Sequence, residues 1–311
     1  MLIITGSDDN YVAGVLVLIA SAAFHNPGAR FAILDMGISV VNRARIDQLA
    51  QRLDCEINRI EVASDAFDHL LIKRRHLTRS AYLRLLIPDS FPEENRALYM
   101  DCDMVVTDDL SSIWGVELGD APIAAVRCPS PHDAELTATG HTRESYINSG
   151  LLLMNLPVWR RERISEKCVR LLSDPENPLL SEDQSAINIV CLNRTIILPD
   201  RFNVYADLTA YKCLTRMPKK FAVIHYVVSN KPWNGNVTLG EIWHFHSKRI
   251  ASLMPPLHKI TLRRRVSIWN RRLKMSLGVA FRIEKYLLRQ QVADVMNYGF
   301  RDSYLRRAAN N

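Results

Sequence analysis

The sequence predicts an α/β fold, a Rossmann-like, mostly parallel sheet flanked by helices, with a basic helical tail. Two observations predict the sheet and a third the tail. Short apolar runs alternate with helically spaced segments through the first sixty residues, and polar clusters close the candidate strands. The basic residues are concentrated beyond Ala251. The elements follow in order. Leu2-Ile3-Ile4 stops at Thr5-Gly6-Ser7-Asp8-Asp9-Asn10, a cluster of turn and cap residues. An apolar helix then runs to about Phe24. Phe31–Leu34 reads as a buried strand, Val41–Leu53 as a helix, and Ile57–Val62 as a third strand. Ala97–Met100, Pro122–Val126, Gly150–Leu156 and Ile196–Leu198 are later strand candidates. Residues 1–255 form the expected body and 256–311 the tail. Ligands of open α/β sheets bind beyond the carboxyl ends of the strands. Asp8, Asp9, Asn10, Asp101 and Asp103 all fall at such ends, on one edge of the sheet.

Bulk composition narrows the function. The chain has 311 residues, 48% hydrophobic and 23% charged, as expected of a globular domain. Its six cysteines show no CxxC pair or zinc spacing and fit a reducing cytoplasm. Val12–Phe24 follows two aspartates rather than Lys or Arg and is shorter than a membrane span of about 20 residues. It reads as a buried first helix. From Ala251 onward there are 13 Lys+Arg against 3 Asp+Glu, which leaves 27 against 30 elsewhere. A mildly acidic body argues against nucleic acid as its ligand.

Asp101-Cys102-Asp103 carries the first chemical signal. Two carboxylates so close, after a buried strand, raise each other's pKa and are costly to bury unpaired. A divalent cation resolves the conflict, and oxygen ligands suit Mg²⁺ or Mn²⁺. By itself the motif also fits a solvated turn. It fits, too, the nucleophile loop of haloacid-dehalogenase-type phosphatases, in which Asp101 would attack phosphorus and Asp103 act as acid/base.

Six matches in order extend the signal: Asp8-Asp9-Asn10-Tyr11 after the first strand, Tyr82-Leu83-Arg84, Leu98–Asp103, Asn148-Ser149-Gly150, Glu182-Asp183-Gln184, and His225-Tyr226 with Lys231-Pro232-Trp233. With them the chain resembles glycosyltransferase family 8, retaining enzymes that include bacterial lipopolysaccharide galactosyl- and glucosyltransferases and glycogenin. The resemblance implies a GT-A type fold. It also implies transfer of galactose or glucose from a UDP-hexose donor to a glycan or lipid-linked glycan acceptor in cell-surface polysaccharide synthesis. Asp8 and Asn10 would hydrogen-bond the nucleoside and Tyr11 would stack on uracil. Asp101, Asp103 and His225 would be the ligands of Mn²⁺ (or Mg²⁺), and Lys231 would neutralise the departing diphosphate. Arg84, Asp101, Asn148, Asp183 and Gln184 would read the sugar's hydroxyls. Gln184 and Asp183 are the catalytic candidates, as the groups nearest the face opposite the leaving UDP. A poor nucleophile at 184 favours attack from the leaving-group face, with the phosphate taking the acceptor's proton.

Plainer readings stand beside these. Asp8 or Asp183 could simply cap a helix, Tyr11 or His225 be buried in the core, and Arg84 pair on a helix surface. Two positions depart from the family pattern. Val228 stands where a Gly usually gives the backbone room beside the phosphate. Arg127-Cys128-Pro129 follows the Pro122–Val126 strand where the family often has a further Asp. The first departure keeps open a non-catalytic nucleotide-sugar-binding protein. In the tail, a helix over Arg264–Arg289 would gather Val266, Trp269, Leu273, Leu277, Phe281 and Leu288 on one side. Arg264, Arg271, Arg282, Lys285 and Arg289 gather on another. Such a helix suits an anionic membrane surface on the cytoplasmic face, and equally an ordinary terminal helix packed on the body.

Overall fold

The computed structural model describes residues 1–63, 65–67, 79–174, 176, 179–227, 231–257 and 261–310. Val228 and the side chain of Arg264 lie outside the described residues. The chain opens with β1 (Leu2–Ser7), α1 (Val12–His25), β2 (Arg30–Asp35), α2 (Val40–Leu53) and β3 (Ile57–Glu61). After α3 (Ile87–Ser90) come β4 (Arg96–Met100), β5 (Met104–Val106), α4 (Ser111–Trp114), β6 (Ile123–Arg127) and α5 (Asp133–Thr139). Then follow β7 (Ile147–Asn155), α6 (Leu156–Glu162), α7 (Ile164–Ser173), α8 (Glu182–Val190), β8 (Thr195–Leu198), β9 (Val204–Tyr205), β10 (Val223–His225) and α9 (Gly240–Arg249).

Seven strands form one sheet in the order β3-β2-β1-β4-β7-β6-β8. Only β7 runs against its neighbours, β4 and β6. The reversal brings the start of β7 to the edge where β1 and β4 end, and the Asp101 amide donates to the Gly150 carbonyl at 2.8 Å. The sequence reading put Asn148 and Ser149 ahead of a strand over Gly150–Leu156; they lie within the strand, which ends at Asn155. Asn155 caps α6 through the Val158 amide, and Pro157 in that first turn cannot continue a ladder.

A second sheet, β5-β10-β9, is the scaffold of the site. β5 and β10 pair antiparallel with Met104 opposite His225, so strand register sets His225 beside Asp103. Helix α1 is apolar on all sides because it is covered on all sides, as the sequence reading expected. Ser21 Oγ accepts from the Val106 amide of the small sheet at 3.1 Å. Gly14 lets the helix approach the Asp101–Asp103 loop: a Cβ there would stand 2.4 Å from the Cys102 carbonyl oxygen.

The tail is not one helix. α10 (Leu262–Ala280) ends at a turn with Arg282 in the left-handed region (φ 53°), and α11 (Glu284–Asp294) folds back. Tyr286 lies against Gly278, where a Cβ would stand 2.1 Å from its ring; this contact closes the hairpin. Leu288 therefore leaves the predicted stripe and packs towards the body's core. A π-helical stretch (Val295–Arg301) and α12 (Asp302–Ala308) follow. Val292, Met296, Phe300, Tyr304 and Ala308 are buried with the body's core. Leu262, Val266, Trp269, Leu273, Leu277 and Phe281 remain exposed. Among the described residues no helix is long and apolar enough to cross a membrane.

Candidate active site

A cleft of about 390 Å³ opens at the sheet edge where β4 and the start of β7 meet β10. Arg84, in the 3-10 segment Arg79–Leu86, is buried beneath it. Its Nη2 donates to Asp101 Oδ1 at 3.0 Å, its Nε lies 3.1 Å from Asp183 Oδ2, and its Nη1 donates to the Ser149 carbonyl. Its guanidinium also covers the Tyr99 ring. Burial works against this charge, but Asp101 and Asp183 more than offset it, and the guanidinium is held protonated. Burial in turn pushes the Asp183 carboxyl up to about 6, although Arg84 pulls it down.

Among the described residues, each aspartate of the motif has one oxygen bound by the protein and one without a hydrogen bond. Asp101 Oδ1 accepts from Tyr99 Oη at 2.6 Å and from Arg84. Asp101 Oδ2 points instead towards His225 Nε2, 3.6 Å away. Asp103 Oδ2 accepts from Lys231 Nζ, which also donates to the Tyr226 carbonyl at 2.8 Å. Asp103 Oδ1 is buried without a hydrogen-bond partner, 3.1 Å from His225 Nε2. Burial raises the Asp103 pKa, yet the ammonium of Lys231 holds it well below the usual carboxylate range. A buried carboxylate, a partly exposed one and a buried imidazole thus share one corner.

The tautomer of His225 follows from a chain of amides. The Ser149 and Gly150 backbone N–H groups can only donate, and they point at Gln184 Oε1 (3.3 Å) and Asn148 Oδ1 (3.2 Å). Those contacts identify the oxygen of each amide. Asn148 Nδ2 donates to Gln184 Oε1, and Asn203 Nδ2 donates to Asn148 Oδ1, each at 2.7 Å. Asn203 is left with its oxygen facing His225 Nδ1 at 2.9 Å, so Nδ1 carries the hydrogen. The far end is anchored alike. Gln184 Nε2 donates to Tyr146 Oη (3.1 Å), which donates to buried Glu135 (2.6 Å). In the neutral ring His225 Nε2 thereby presents a lone pair to two carboxylates, an arrangement that a cation relieves.

The donor set therefore fits a divalent metal. Ligand atoms of Asp101, Asp103 and His225 lie within 4.8 Å of one another, two oxygens and a nitrogen suited to Mn²⁺ or Mg²⁺. Gly150 keeps the corner open, since a Cβ there would stand 2.7 Å from Asp101 Oδ2 and 2.5 Å from His225 Cε1.

Of the residues singled out in the sequence, Tyr11, Arg84, Asp101, Asp103, Asn148, Asp183, Gln184, His225 and Lys231 line this cleft. Asp8 and Asn10 do not: Asp8 caps the following turn by accepting from the Asn10 amide, while Tyr11 sits edge-on to Trp233. Asp183 lies in the first turn of α8, facing Arg84, rather than at its cap. Tyr99, Tyr146 and Asn203 were not anticipated. Tyr99 was at least quoted within the aspartate motif, whereas Asn203 belongs to no motif and is recognisable only by what it touches.

A family model described as Glycosyl transferase family 8 matches residues 2–236. General stress protein A of Bacillus subtilis is 27% identical over 76% of this chain and 88% of its own length. Lipopolysaccharide 1,3-galactosyltransferase of Salmonella typhimurium is 25% identical over 74% of this chain and 72% of its own length. The chain spans only about a third of two larger streptococcal glycosyltransferases that it also matches (33% and 34%). Among solved structures, galactosyltransferase LgtC in complex with donor and acceptor sugar analogs superposes with a TM-score of 0.72. That pair is 25% identical, over 85% of this chain and 99% of LgtC.

Proposed function

The chain belongs to glycosyl transferase family 8, and from that premise we propose that it transfers galactose or glucose, with retention, from a UDP-hexose to a glycan or lipid-linked glycan of the cell surface. The relatives named for lipopolysaccharide galactosyl and glucosyl transfer support the hexose and the acceptor class. The observation that carries the reading is the convergence of Asp101 Oδ2, Asp103 Oδ1 and the His225 Nε2 lone pair beside Lys231. These residues would hold Mn²⁺ (or Mg²⁺), which when bound supplies positive charge to the donor diphosphate. Neither the fold nor the comparisons support the phosphatase reading, whose nucleophile would be an Asp101 engaged by Arg84 and Tyr99.

In this reading Lys231 stabilises charge gathering on the departing UDP. Tyr11 offers its ring to uracil, with Asp8 and Asn10 at the nucleoside. Arg84, Asp101, Asn148, Asp183 and Gln184 surround the hexose, where a wrong epimer would leave buried groups unpaired. The acceptor oxygen attacks the anomeric carbon from the face that UDP leaves, the bond to the diphosphate breaks, and the acceptor proton passes to a phosphate oxygen. Asp183 is engaged by Arg84 and the Gln184 oxygen by Asn148 and Ser149, contacts that favour this route over attack by either group from the other face. A glycosyl adduct trapped on Asp183 would overturn this route.

The exposed apolar stripe of α10 supports a peripheral site on the inner face of the membrane, and the unpaired cysteines support a cytoplasmic one. Incubation with Mn²⁺ and a panel of UDP-sugars, following UDP release, tests the proposal. We expect turnover of UDP-galactose or UDP-glucose; binding without turnover would leave a non-catalytic binding protein. Flotation with anionic vesicles should be lost in Trp269→Ser/Phe281→Ser, and its survival would remove the membrane role.

A further inference from the structure

A second depression, about 880 Å³, lies between the tail hairpin and the body. It is continuous with the cleft, because Asp207 and Val227 line both. Its outer wall is formed in an unusual way. At about 100° per residue, Ile268, Arg271, Arg272 and Met275 share the face of α10 that lines the depression. The exposed stripe of Val266, Trp269, Leu273 and Leu277 lies on the opposite side. An ordinary terminal helix buries its apolar stripe against the body and gives its charges to water. Here the apolar side faces outward and two arginines face inward, joined by Lys274 and by Arg289 of α11.

These cations share the groove with two carboxylates, Asp207 and Glu241. Arg301, which also lines the groove, pairs with Glu241 and Asp302. Among the described residues no carboxylate pairs with Arg271, Arg272, Lys274 or Arg289, and Asp207 is engaged by Thr209. The donor diphosphate has its own partners at the Asp101–Asp103–His225 corner with Lys231, so it leaves the groove cations unused. A neutral glycan would give them nothing to bind. A phosphate ester matches them, because guanidinium groups bind phosphate through paired charge-assisted hydrogen bonds.

We propose that this groove is an anion-binding acceptor subsite: the acceptor is a phosphorylated glycan whose phosphate is held by Arg271, Arg272 and Arg289 beside the donor cleft. The inference rests on the transferase reading for its meaning, and its test does not. With the donor site saturated by UDP and Mn²⁺, calorimetry would compare maltose 1-phosphate with maltose. The unaltered protein should bind the phosphorylated sugar about tenfold more tightly, the scale of one charge-assisted contact. Arg271→Gln/Arg272→Gln should lose that preference with an unchanged melting temperature, since both side chains are exposed. Equal binding of the two sugars by the unaltered protein, or a preference that survives the double substitution, would overturn the subsite. Phosphatidylglycerol vesicles separate the other source of phosphate. If the double substitution abolishes vesicle binding and leaves the sugar preference intact, the arginines serve lipid headgroups and the proposal fails. A wild-type protein that turns over no UDP-sugar would refute the transferase reading while leaving the phosphate preference measurable.

Discussion

Two histidine corners of the fold solve opposite problems. His225 has its Nδ1 hydrogen fixed by Asn203 and its Nε2 turned towards Asp101 and Asp103. His25 and His246, where the tail meets the body, both lie against the Tyr304 hydroxyl, at 2.9 and 2.8 Å. One hydroxyl carries one hydrogen, so one histidine accepts from Tyr304 while the other donates to it. That contact suits neutral rings, although His246 Nδ1 is buried without a hydrogen-bond partner. Burial holds both histidines below their ordinary range, His25 to about 4 and His246 to about 3. A histidine whose nitrogen is aimed at acids is thus suited to hold a cation, whereas one that closes on a neutral hydroxyl is suited to join two parts of the fold.

Removing an acid from the first corner should have the largest effect. Asp103→Ala leaves Lys231 buried beside an incomplete ligand set. UDP release at saturating Mn²⁺ should fall by roughly 10²–10³-fold, the scale of losing one fixed charge-stabilising group, and Mn²⁺ binding followed by paramagnetic resonance should fall with it. Asn203 acts one step back, as a positioning residue. Asn203→Ala frees the His225 tautomer and should weaken Mn²⁺ binding by about 10–100-fold, as loss of such a partner does elsewhere. Asn203→Asp still accepts from Nδ1 and should recover most of that loss. Unweakened Mn²⁺ binding in the alanine variant would show that the amide chain does not govern the ligand.

The two corners also differ in how far the sequence exposes them. Asp101, Asp103 and His225 stand in recognisable contexts, and β1, β2 and β3 follow from apolar runs. The direction of β7 was hidden, because a strand buried on both faces carries no polar side to orient it. Asn203 and Tyr146 were hidden because an isolated amide or phenol is informative only through its partners. The break at Phe281–Ile283 escaped for the reverse reason: the amphipathic period runs through it, while the contact that closes the hairpin, Tyr286 on Gly278, is tertiary. Asp8 was legible as a cap and as a nucleoside contact, and only the cap is made within the protein.

The histidine pair at the tail should give the smallest effect, and its sign separates it from the cleft. In the unfolded chain His25 and His246 take up protons near their ordinary value of 6.5; folded, they resist until about 4 and about 3. Between 6.5 and 4 the unfolded chain binds more protons, so acidification destabilises the fold across that window. Asp183 acts in the opposite sense. Its folded value near 6 lies above the ordinary 3.8, so it favours the folded state increasingly as pH falls through 6. Comparison of wild type with His25→Asn/His246→Gln cancels the Asp183 contribution. Melting temperatures measured from pH 8 to pH 3 should fall more steeply for the wild type below about 6.5, and the gap between the curves should widen more slowly below about 4, where only His246 still resists protonation. Cleavage of the wild-type tail within α12 by an added protease should speed up over the same window. Parallel melting curves would mean that the tail does not depend on two neutral histidines, and the distinction between the corners would then rest on His225 alone.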